Sequence, residues 1–263
     1  MKKVLFALTS TVMAAALYAE RLRAGVKETQ DRVDSATRIA RMEGRKGMLA
    51  AKQDNIITQD MYFTPSNVTD STVTMTAQAA NGGSIVLAYT LGQDYFLHFT
   101  LQANGLSGAF APNYKNVDIE WNDLVYQQEK GFTFENRYAT LTYKEKDGST
   151  DYLNETSEKR DEKIEPALDW VAFKNQFFSA VMISKSDFAA NALLTSVPQE
   201  KGSGYLKQYE AKLKTFFDPT GKTPSEFEFY YGPNDFRLLQ DVEKQSTIVK
   251  TITRIWRQRT IGQ

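Results

Sequence analysis

The sequence contains no cysteine, and it has one histidine, His98, among 263 residues. The lack of cysteine excludes disulfide frameworks, thiol nucleophiles and thiolate-bound zinc. One histidine cannot form a histidine cage around a metal, and it makes a Ser-His-Asp triad hard to assemble. Net charge is also absent, because 32 lysines and arginines balance 32 aspartates and glutamates. That balance gives no electrostatic footprint for nucleic acid or for a strongly anionic partner.

Long apolar runs are scarce, and the one that stands out lies at the N-terminus. Lys2 and Lys3 precede an apolar run from Val4 to Ala19, and the charged Glu20 follows. A basic start, an apolar run and a small residue at the end form the pattern of an export signal. We interpret residues 1–19 as a signal peptide cleaved after Ala19, with an uncleaved signal anchor as the alternative. Both interpretations predict a periplasmic chain, and the anchor would attach it to the inner membrane.

Residues 20–54 contain no aromatic residue and no proline, and charges of both signs are mixed throughout. A thin apolar stripe recurs at helical spacing. Its members are Leu22, Val26, Val33, Ala36 and Ala40. The pattern predicts a charged helical stalk or linker. A coiled-coil pairing surface is the alternative, although alanine and threonine fill much of the seam.

Residues 55–245 carry the alternation of apolar and polar side chains that is typical of strands. Val117, Ile119 and Trp121, for example, alternate with polar neighbours, and Asp147-Gly148 supplies a hairpin turn between two such segments. Eight or more strands joined by short turns predict an all-β antiparallel sandwich with short helices at its edges. The charge-dense run 154–165 is interpreted as a solvated surface excursion between strands.

The densest apolar and aromatic run after the N-terminus extends from Leu168 to Ile183. Its near-continuous apolar character predicts a strand buried on both faces, in the middle of a sheet. Further on, Asn234 is a candidate N-cap for a short helix. Phe236, Leu239 and Val242 would form the apolar face of that helix.

Candidate catalytic residues are few. His98 is interpreted as a packing or surface residue. Asp118 and Glu120 share a strand face, where a carboxylate pair for glycoside chemistry could lie, but a solvated sheet face explains them equally well. Gly202-Ser203-Gly204 lacks the strand–turn–helix setting of a serine nucleophile. No phosphate loop, HExxH or GxGxxG motif is present. We therefore predict a protein that is not an enzyme and has no catalytic, cofactor or metal site.

Residues 246–263 form a basic tail with helical amphipathic spacing. Ile248, Ile252, Ile255 and Trp256 share one face, and Lys250, Arg254 and Arg257 lie on the others. This pattern is typical of a short helix at a membrane interface. A plain domain-ending helix or a frayed tail is the alternative.

Several segments resemble, in the same order, the large periplasmic domain of the bacterial membrane protein insertase family YidC, in its Bacteroidetes form. They are Trp121–Gly131, Phe134–Tyr138, Leu168–Ser179, Phe217–Pro219 and Phe229–Asn234. The resemblance covers roughly residues 55–244.

This resemblance implies a β-supersandwich over residues 55–245, the fold of galactose-mutarotase-like sugar-binding domains. It also implies a non-enzymatic role in inserting and folding inner-membrane proteins. The implied partners are inserting membrane proteins and accessory subunits of the Sec translocon, whose contact residues the resemblance does not place. The family's transmembrane insertase core has no counterpart in these 263 residues. We therefore expect a truncated or split insertase subunit that acts by binding or scaffolding.

Two other function classes remain open. An exported carbohydrate-binding or mutarotase-like protein could use the same fold, but it would need acid and base residues in a cleft. One histidine and scattered carboxylates argue against that class. A secreted structural domain without an inner-membrane partner is the other alternative.

Overall fold

A computed structural model describes residues 3–8, 55–58, 61–79, 82–92, 95–111, 113–153, 158–245 and 252–253. Strands dominate, nearly all of their pairs are antiparallel, and they form the two sheets of an all-β sandwich. The predicted fold class is therefore confirmed. The predicted stalk, residues 20–54, lies outside the described residues. Within the predicted export signal, Lys3–Leu8 forms a strand that pairs in parallel with Asn55–Ile57, and signal cleavage stays a prediction.

The strands in chain order are β1 (Lys3–Leu8), β2 (Asn55–Ile57), β3 (Thr64–Ser66), β4 (Thr72–Gln78), β5 (Ser84–Leu91), β6 (Phe96–Asn104), β7 (Asn116–Tyr126), β8 (Thr140–Glu145), β9 (Thr150–Tyr152), β10 (Arg160–Ile164), β11 (Leu168–Lys174), β12 (Phe178–Phe188), β13 (Ala192–Pro198), β14 (Tyr205–Phe216) and β15 (Ser225–Pro233). The helices of the described residues are α1 (Phe132–Tyr138) and α2 (Phe236–Gln245), and Ser107–Ala109 forms a 3-10 turn.

The chain divides into two compact units. The first comprises residues 1–92, 97–119 and 216–226. Within it β3, β4, β5 and β6 form an antiparallel meander, in which Ala77 lies opposite Ile85 and Leu87 lies opposite Leu101. These four side chains are buried, so one face of the meander supplies apolar core, as alternation along the strands predicts.

A tight turn within the first unit leaves no room for a side chain at Gly221. The Asp218 carboxylate accepts hydrogen bonds from the Thr220 and Thr223 amides at 2.9 and 3.0 Å. The Thr220 hydroxyl also donates to this carboxylate, at 2.8 Å. This bond, followed by the two amide bonds, lowers the pKa of Asp218. Gly221 adopts φ of 77°, and a Cβ there would lie 1.9 Å from the Ala103 carbonyl oxygen. The Gly221 amide closes the turn by donating to the Asp218 carbonyl at 3.1 Å, and the last residue of the turn has to be glycine.

The second unit comprises residues 93–96, 120–215 and 227–263. In it β15, β12, β11, β8 and β9 are successive neighbours in one sheet, and β10, β13 and β14 in the other. The run Leu168–Ile183 is not one strand, as predicted, but two central antiparallel strands, β11 and the first part of β12. The chain turns at Asn175 because the Asn175 carboxamide oxygen accepts two amides further along.

Aromatic side chains from both sheets form the interior of the second unit. The rings of Trp121 and Phe173 stack with centroids 3.8 Å apart. Tyr209 lies 5.3 Å from the Phe173 ring, and Phe229 lies 6.2 Å from the Trp121 ring. Offset and edge contacts of this kind add to the free energy gained by burying these large rings.

The other face of β11 and β12 is covered by the α2 helix. Trp170, Val181 and Tyr230 pack there against Leu239 and Val242 of the helix. This arrangement explains why the run is apolar on both faces. The predicted cap is wrong, because Asp235 and not Asn234 accepts the Leu238 amide, at 2.9 Å.

The described part of the charge-dense run, residues 158–165, is more than a surface excursion. Most of it forms β10, an edge strand paired with β13 in the register Asp161 to Thr195. The Thr195 hydroxyl donates to the Asp161 carboxylate at 2.7 Å, and Ile164 is buried. This hydrogen bond and the buried Ile164 side chain hold β10 in the sheet. The charged sequence of the segment alone does not predict a strand. Charged side chains on an edge strand also discourage further strand pairing.

Candidate functional site

The structure places the candidate catalytic residues at ordinary strand and loop positions. His98 is exposed on β6, opposite Thr90. This position agrees with the interpretation of His98 as a packing or surface residue. The Ser203 hydroxyl donates to the Tyr205 carbonyl and accepts the Tyr205 amide, both at 3.2 Å, so it serves its own turn. In the described part of the chain, no three His, Asp or Glu side chains gather as metal ligands.

Glu120 belongs to a solvated, charged sheet face. Its carboxylate lies 3.9 Å from the Lys212 ammonium, which is 3.1 Å from Glu210. The hydrogen bond to Glu210 raises the pKa of Lys212 above its ordinary value. Asp118 is half-buried on the same strand. The arrangement fits a polar surface better than a pair of catalytic carboxylates.

One of the seven residues predicted at a membrane interface lies in the core. Ile252 is fully buried against the same apolar cluster as Leu239 and Val242, so its side chain cannot contact a bilayer. Next to it the Thr253 amide and hydroxyl donate to the Glu243 carboxylate at 2.6 and 2.7 Å. The other six lie outside the described residues, and their role stays a prediction. They are Ile248, Lys250, Arg254, Ile255, Trp256 and Arg257.

A hairpin turn in the second unit presents two exposed phenylalanines. Phe177 and Phe178, between β11 and β12, are 40% and 47% exposed. The Asn175 carboxamide oxygen accepts their amides at 2.9 and 2.7 Å, and the Asn175 amide donates to the Phe178 carbonyl at 2.9 Å. The turn is thus closed by one side chain, an Asx-turn arrangement.

Asn234, just after β15, holds the β11–β12 turn in place through hydrogen bonds. Its carboxamide nitrogen lies 3.0 to 3.3 Å from the carbonyl oxygens of Asn175, Gln176 and Phe178. Its oxygen accepts the Ser179 hydroxyl at 2.6 Å, and its amide donates to the Phe177 carbonyl at 2.6 Å. The position of the two phenylalanines is therefore set by a dense hydrogen-bond network.

The helix α1 lies next to this turn, since Thr140, just after the helix, pairs with Lys174 at the end of β11. The Glu135 carboxylate is fully buried and accepts the Gln128 and Glu129 amides at 2.9 to 3.1 Å. This anchor holds the helix, and Phe134, one residue before Glu135 and about 100° around the helix from it, stays 54% exposed. Phe134 packs against Tyr138 with ring centroids 5.1 Å apart.

Strand ends complete the same surface. Leu124 and Tyr126, at the end of β7, are 41% and 62% exposed, and the Tyr126 ring meets the Tyr205 ring edge-on at 5.6 Å. Tyr95 is 39% exposed and adopts φ of 65°, a value uncommon for an aromatic residue. Its carbonyl oxygen accepts the Tyr231 amide at 3.0 Å, near the end of β15.

We call this surface the aromatic end: Tyr95, Leu124, Tyr126, Phe134, Phe177 and Phe178. Nine large hydrophobic side chains are exposed in the described part of the chain, and six of them belong to it. Such a concentration is typical of a contact surface. Sequence analysis missed it, although most of its members lie inside the segments that carry the family resemblance. The signal was Phe177-Phe178 directly after an Asn-Gln turn.

Asp123, beside Leu124, provides a pH-dependent test of burial near this surface. Burial raises the pKa of the Asp123 carboxyl, and a hydrogen bond from the Leu124 amide opposes the rise. The folded state therefore binds more protons than the unfolded state just above the ordinary Asp pKa. Stability falls as pH rises through the folded-state pKa. We expect Asp123→Asn to raise the melting temperature at pH 7 and to leave it nearly unchanged at pH 3.

Melting curves at both pH values check this, with Glu129→Gln as the control because Glu129 is exposed. An asparagine keeps the oxygen that accepts the Leu124 amide, so the substitution removes only the buried charge. A lower melting temperature for Asp123→Asn at pH 7 would contradict the sign derived from burial.

No described helix is long and apolar enough to span a membrane. The aromatic end is suited to contact, because its side chains carry apolar surface and phenol groups. The buried Glu135 carboxylate beside it is occupied by backbone amides. The arrangement can bind an apolar or interfacial partner.

Comparison with known proteins gives consistent similarities. A family model described as the YidC periplasmic domain matches residues 34–252. The membrane protein insertase YidC of Phocaeicola vulgatus is 54% identical over 189 residues, which cover 72% of this chain and 30% of that protein. The YidC of Bacteroides fragilis is 44% identical over 195 residues (73% and 31%), and that of Parabacteroides distasonis is 35% identical over 199 residues (75% and 31%).

The chain thus spans about 30% of the length of these relatives. Among solved structures, a glycoside hydrolase aligns with a TM-score of 0.15 and 12% identity, over 62% of this chain and 34% of its own. That similarity carries no argument.

Proposed function

We propose, on the premise that this chain belongs to the YidC periplasmic domain family, that it is the extracytoplasmic binding and scaffolding domain of a membrane protein insertase. In this role the domain lies in the periplasm beside the inner membrane. It contacts inserting membrane proteins and accessory subunits of the Sec translocon during membrane protein insertion. The observation that carries the proposal is the family match over residues 34–252.

The geometry supports a role in contact and not in bond-making. The aromatic end is a rigid, exposed apolar surface on a well-packed sandwich, and rigid surfaces bind with little loss of conformational entropy. The carboxylate that a sugar-converting relative would need, Glu120, is held in an ion pair with Lys212. The carbohydrate-binding alternative therefore has no specific support here.

Site-specific photo-crosslinking in cells tests the proposal. A photoreactive residue would replace Tyr62, Val68, Leu193 or Gln208, which are exposed outside the aromatic end. We expect at least one position to crosslink to an inner-membrane protein during its synthesis, or to a Sec accessory subunit. These adducts should disappear when synthesis of the membrane protein is arrested, because the partner is then no longer engaged.

The matched control is the same variant set without illumination. Crosslinks only to soluble periplasmic proteins, at all four positions and regardless of membrane protein synthesis, would contradict a role in insertion.

A further inference from the structure

We propose that the aromatic end binds directly to the interface of a zwitterionic phospholipid bilayer, with Phe177 and Phe178 entering the boundary between headgroups and acyl chains. The inference rests on the proposed function only in placing the domain beside a membrane. It names lipid as the occupant of a surface whose partner was left open above.

The side-chain chemistry matches the layers of a bilayer interface. Phenylalanines occupy the hairpin turn and the adjoining helix, where Phe177, Phe178 and Phe134 are 40 to 54% exposed. Tyr126 and Tyr95 lie at the strand ends, and each combines an apolar ring with a hydroxyl group. Aromatic residues with one apolar and one polar end are enriched at membrane–water interfaces.

The hydrogen bonding of the turn favours lipid over a peptide partner. The carbonyl oxygens of Asn175, Gln176, Phe177 and Phe178 all accept bonds from within the protein. The Phe177 and Phe178 amides are bonded to the Asn175 side chain. Backbone groups satisfied internally lose little on leaving water, as insertion into a bilayer requires. A peptide that adds as a strand needs unused backbone groups, which these are not.

The rigidity of the turn lowers the entropic cost of binding. Asn234 bridges the turn to the start of the chain segment that leads into α2, and Ser179 bonds to its oxygen at 2.6 Å. The two phenylalanines are therefore already oriented in the absence of a partner. Side chains held in their bound orientation lose less conformational freedom on association than mobile ones do.

Charge at this end is nearly balanced, which matches a zwitterionic surface. The exposed basic residues of the segments that carry it are Lys130, Arg137, Lys201 and Arg237, and the exposed acidic ones are Glu129, Glu200 and Asp235. A near-neutral surface is not repelled by, or strongly attracted to, a zwitterionic headgroup layer. Binding by aromatic burial alone should then depend little on ionic strength, unlike binding through a polybasic patch.

The cysteine-free chain allows a direct test with a single label. Phe177→Cys in the full 263-residue chain would be labelled with an environment-sensitive fluorophore and mixed with phosphatidylcholine vesicles. We expect a blue shift and roughly a twofold or larger rise in emission as the label leaves water for the interface. Lipids carrying a quencher in the acyl chain should reduce this emission. Leu193→Cys, exposed on β13 away from the aromatic end, is the matched control and should change little.

The emission of a fluorophore depends on the environment of the residue that carries it. Lipid binding through another segment of the chain would therefore not produce the emission change expected at residue 177. Equal responses at residues 177 and 193, or no response at 177, would overturn the proposal. A response at 177 that appears only on adding an unfolded membrane protein would overturn it too, in favour of a polypeptide partner. The crosslinking result above does not depend on any of these outcomes, so failure here leaves the proposed function separately testable.

A second variant pair guards against misfolding of the labelled protein. Phe177→Ser with Phe178→Ser should lower vesicle binding severalfold relative to Tyr62→Ser with Val68→Ser, which removes exposed apolar side chains elsewhere. Both pairs should keep the parent's circular dichroism spectrum, because all four side chains are exposed. Equal vesicle binding by the two pairs would contradict the assignment.

Discussion

Gly221→Ala should reduce the free energy of unfolding by about 4 kcal/mol or more, a loss that only a few kinds of substitution produce. Two costs combine at this position. The left-handed backbone, with φ of 77°, disfavours any residue with a Cβ, by about 1 to 2 kcal/mol. The new Cβ would also lie 1.9 Å from the Ala103 carbonyl oxygen, a main-chain atom. Urea denaturation followed by circular dichroism would measure the loss.

The Ala103 carbonyl cannot move aside easily, because Ala103 is paired with Ile85 in the β5–β6 ladder. Relief would require a shift of the strand or of the turn after Asp218. Gln102, whose side chain donates to the Gly221 carbonyl at 2.7 Å, would lose its bond if the turn moved. Either adjustment sacrifices hydrogen bonds that the folded first unit makes.

Two other glycines separate the contributions to this loss. Gly82 has φ of 84° but open space around its Cβ position, so Gly82→Ala should show the backbone cost alone, about 1 kcal/mol. Gly108 has open space and no such φ, and Gly108→Ala should be neutral or slightly stabilising. A loss at Gly221 no larger than that at Gly82 would show that the turn relaxes without cost.

The sequence alone predicts the strands well because their signal is local. Val117, Ile119 and Trp121 alternate with polar residues and are buried as predicted, and Tyr209, Ala211 and Leu213 behave in the same way. Apolar residues at every second position directly indicate a strand with one buried face. The Asp147-Gly148 turn also joins two paired strands, β8 and β9, as its residue types indicate.

Features that depend on distant partners were not predictable from local pattern. A run buried on both faces shows no alternation that could mark its turn, so the pattern predicts a continuous strand where the hairpin at Asn175 lies. Asn234 precedes an apolar helix face, as a cap would, yet its side chain bonds residues about 60 positions earlier in the chain. Ile252 fits an amphipathic tail equally well whether its face meets lipid or, as found, the protein core.

The aromatic end combines both difficulties. Its exposed side chains come from four separate parts of the chain: the residue before β6, the end of β7, the α1 helix and the β11–β12 turn. Only the fold brings Tyr126, Phe134 and Phe177 to one end of the second unit. In the sequence these residues belong to segments dense in apolar side chains, where core packing is the ordinary interpretation. What distinguishes them is exposure, which depends on the turn and helix geometry and not on residue type.

Asn234→Ala should lower the free energy of unfolding by about 3 kcal/mol, because the carboxamide makes several partly buried hydrogen bonds at once. Its nitrogen serves three carbonyl oxygens of the turn, and its oxygen accepts the Ser179 hydroxyl. Alanine keeps the backbone bond to the Phe177 carbonyl but leaves the other groups without this partner. Urea denaturation would measure the loss, with Gln208→Ala as the control because Gln208 is exposed on β14.

The same substitution also links stability to binding at the aromatic end. Without the Asn234 side chain, only Asn175 closes the turn, so Phe177 and Phe178 should gain mobility. The carbonyl groups of Asn175 and Gln176 would lose their bonds to Asn234 and should need water. Both changes oppose entry into a bilayer. The fluorophore at residue 177 should therefore respond less to phosphatidylcholine vesicles in the Asn234→Ala background. This measurement is made without urea, where the variant is still folded. If Asn234→Ala costs no more stability than Gln208→Ala, the turn does not depend on this side chain and its rigidity has another source.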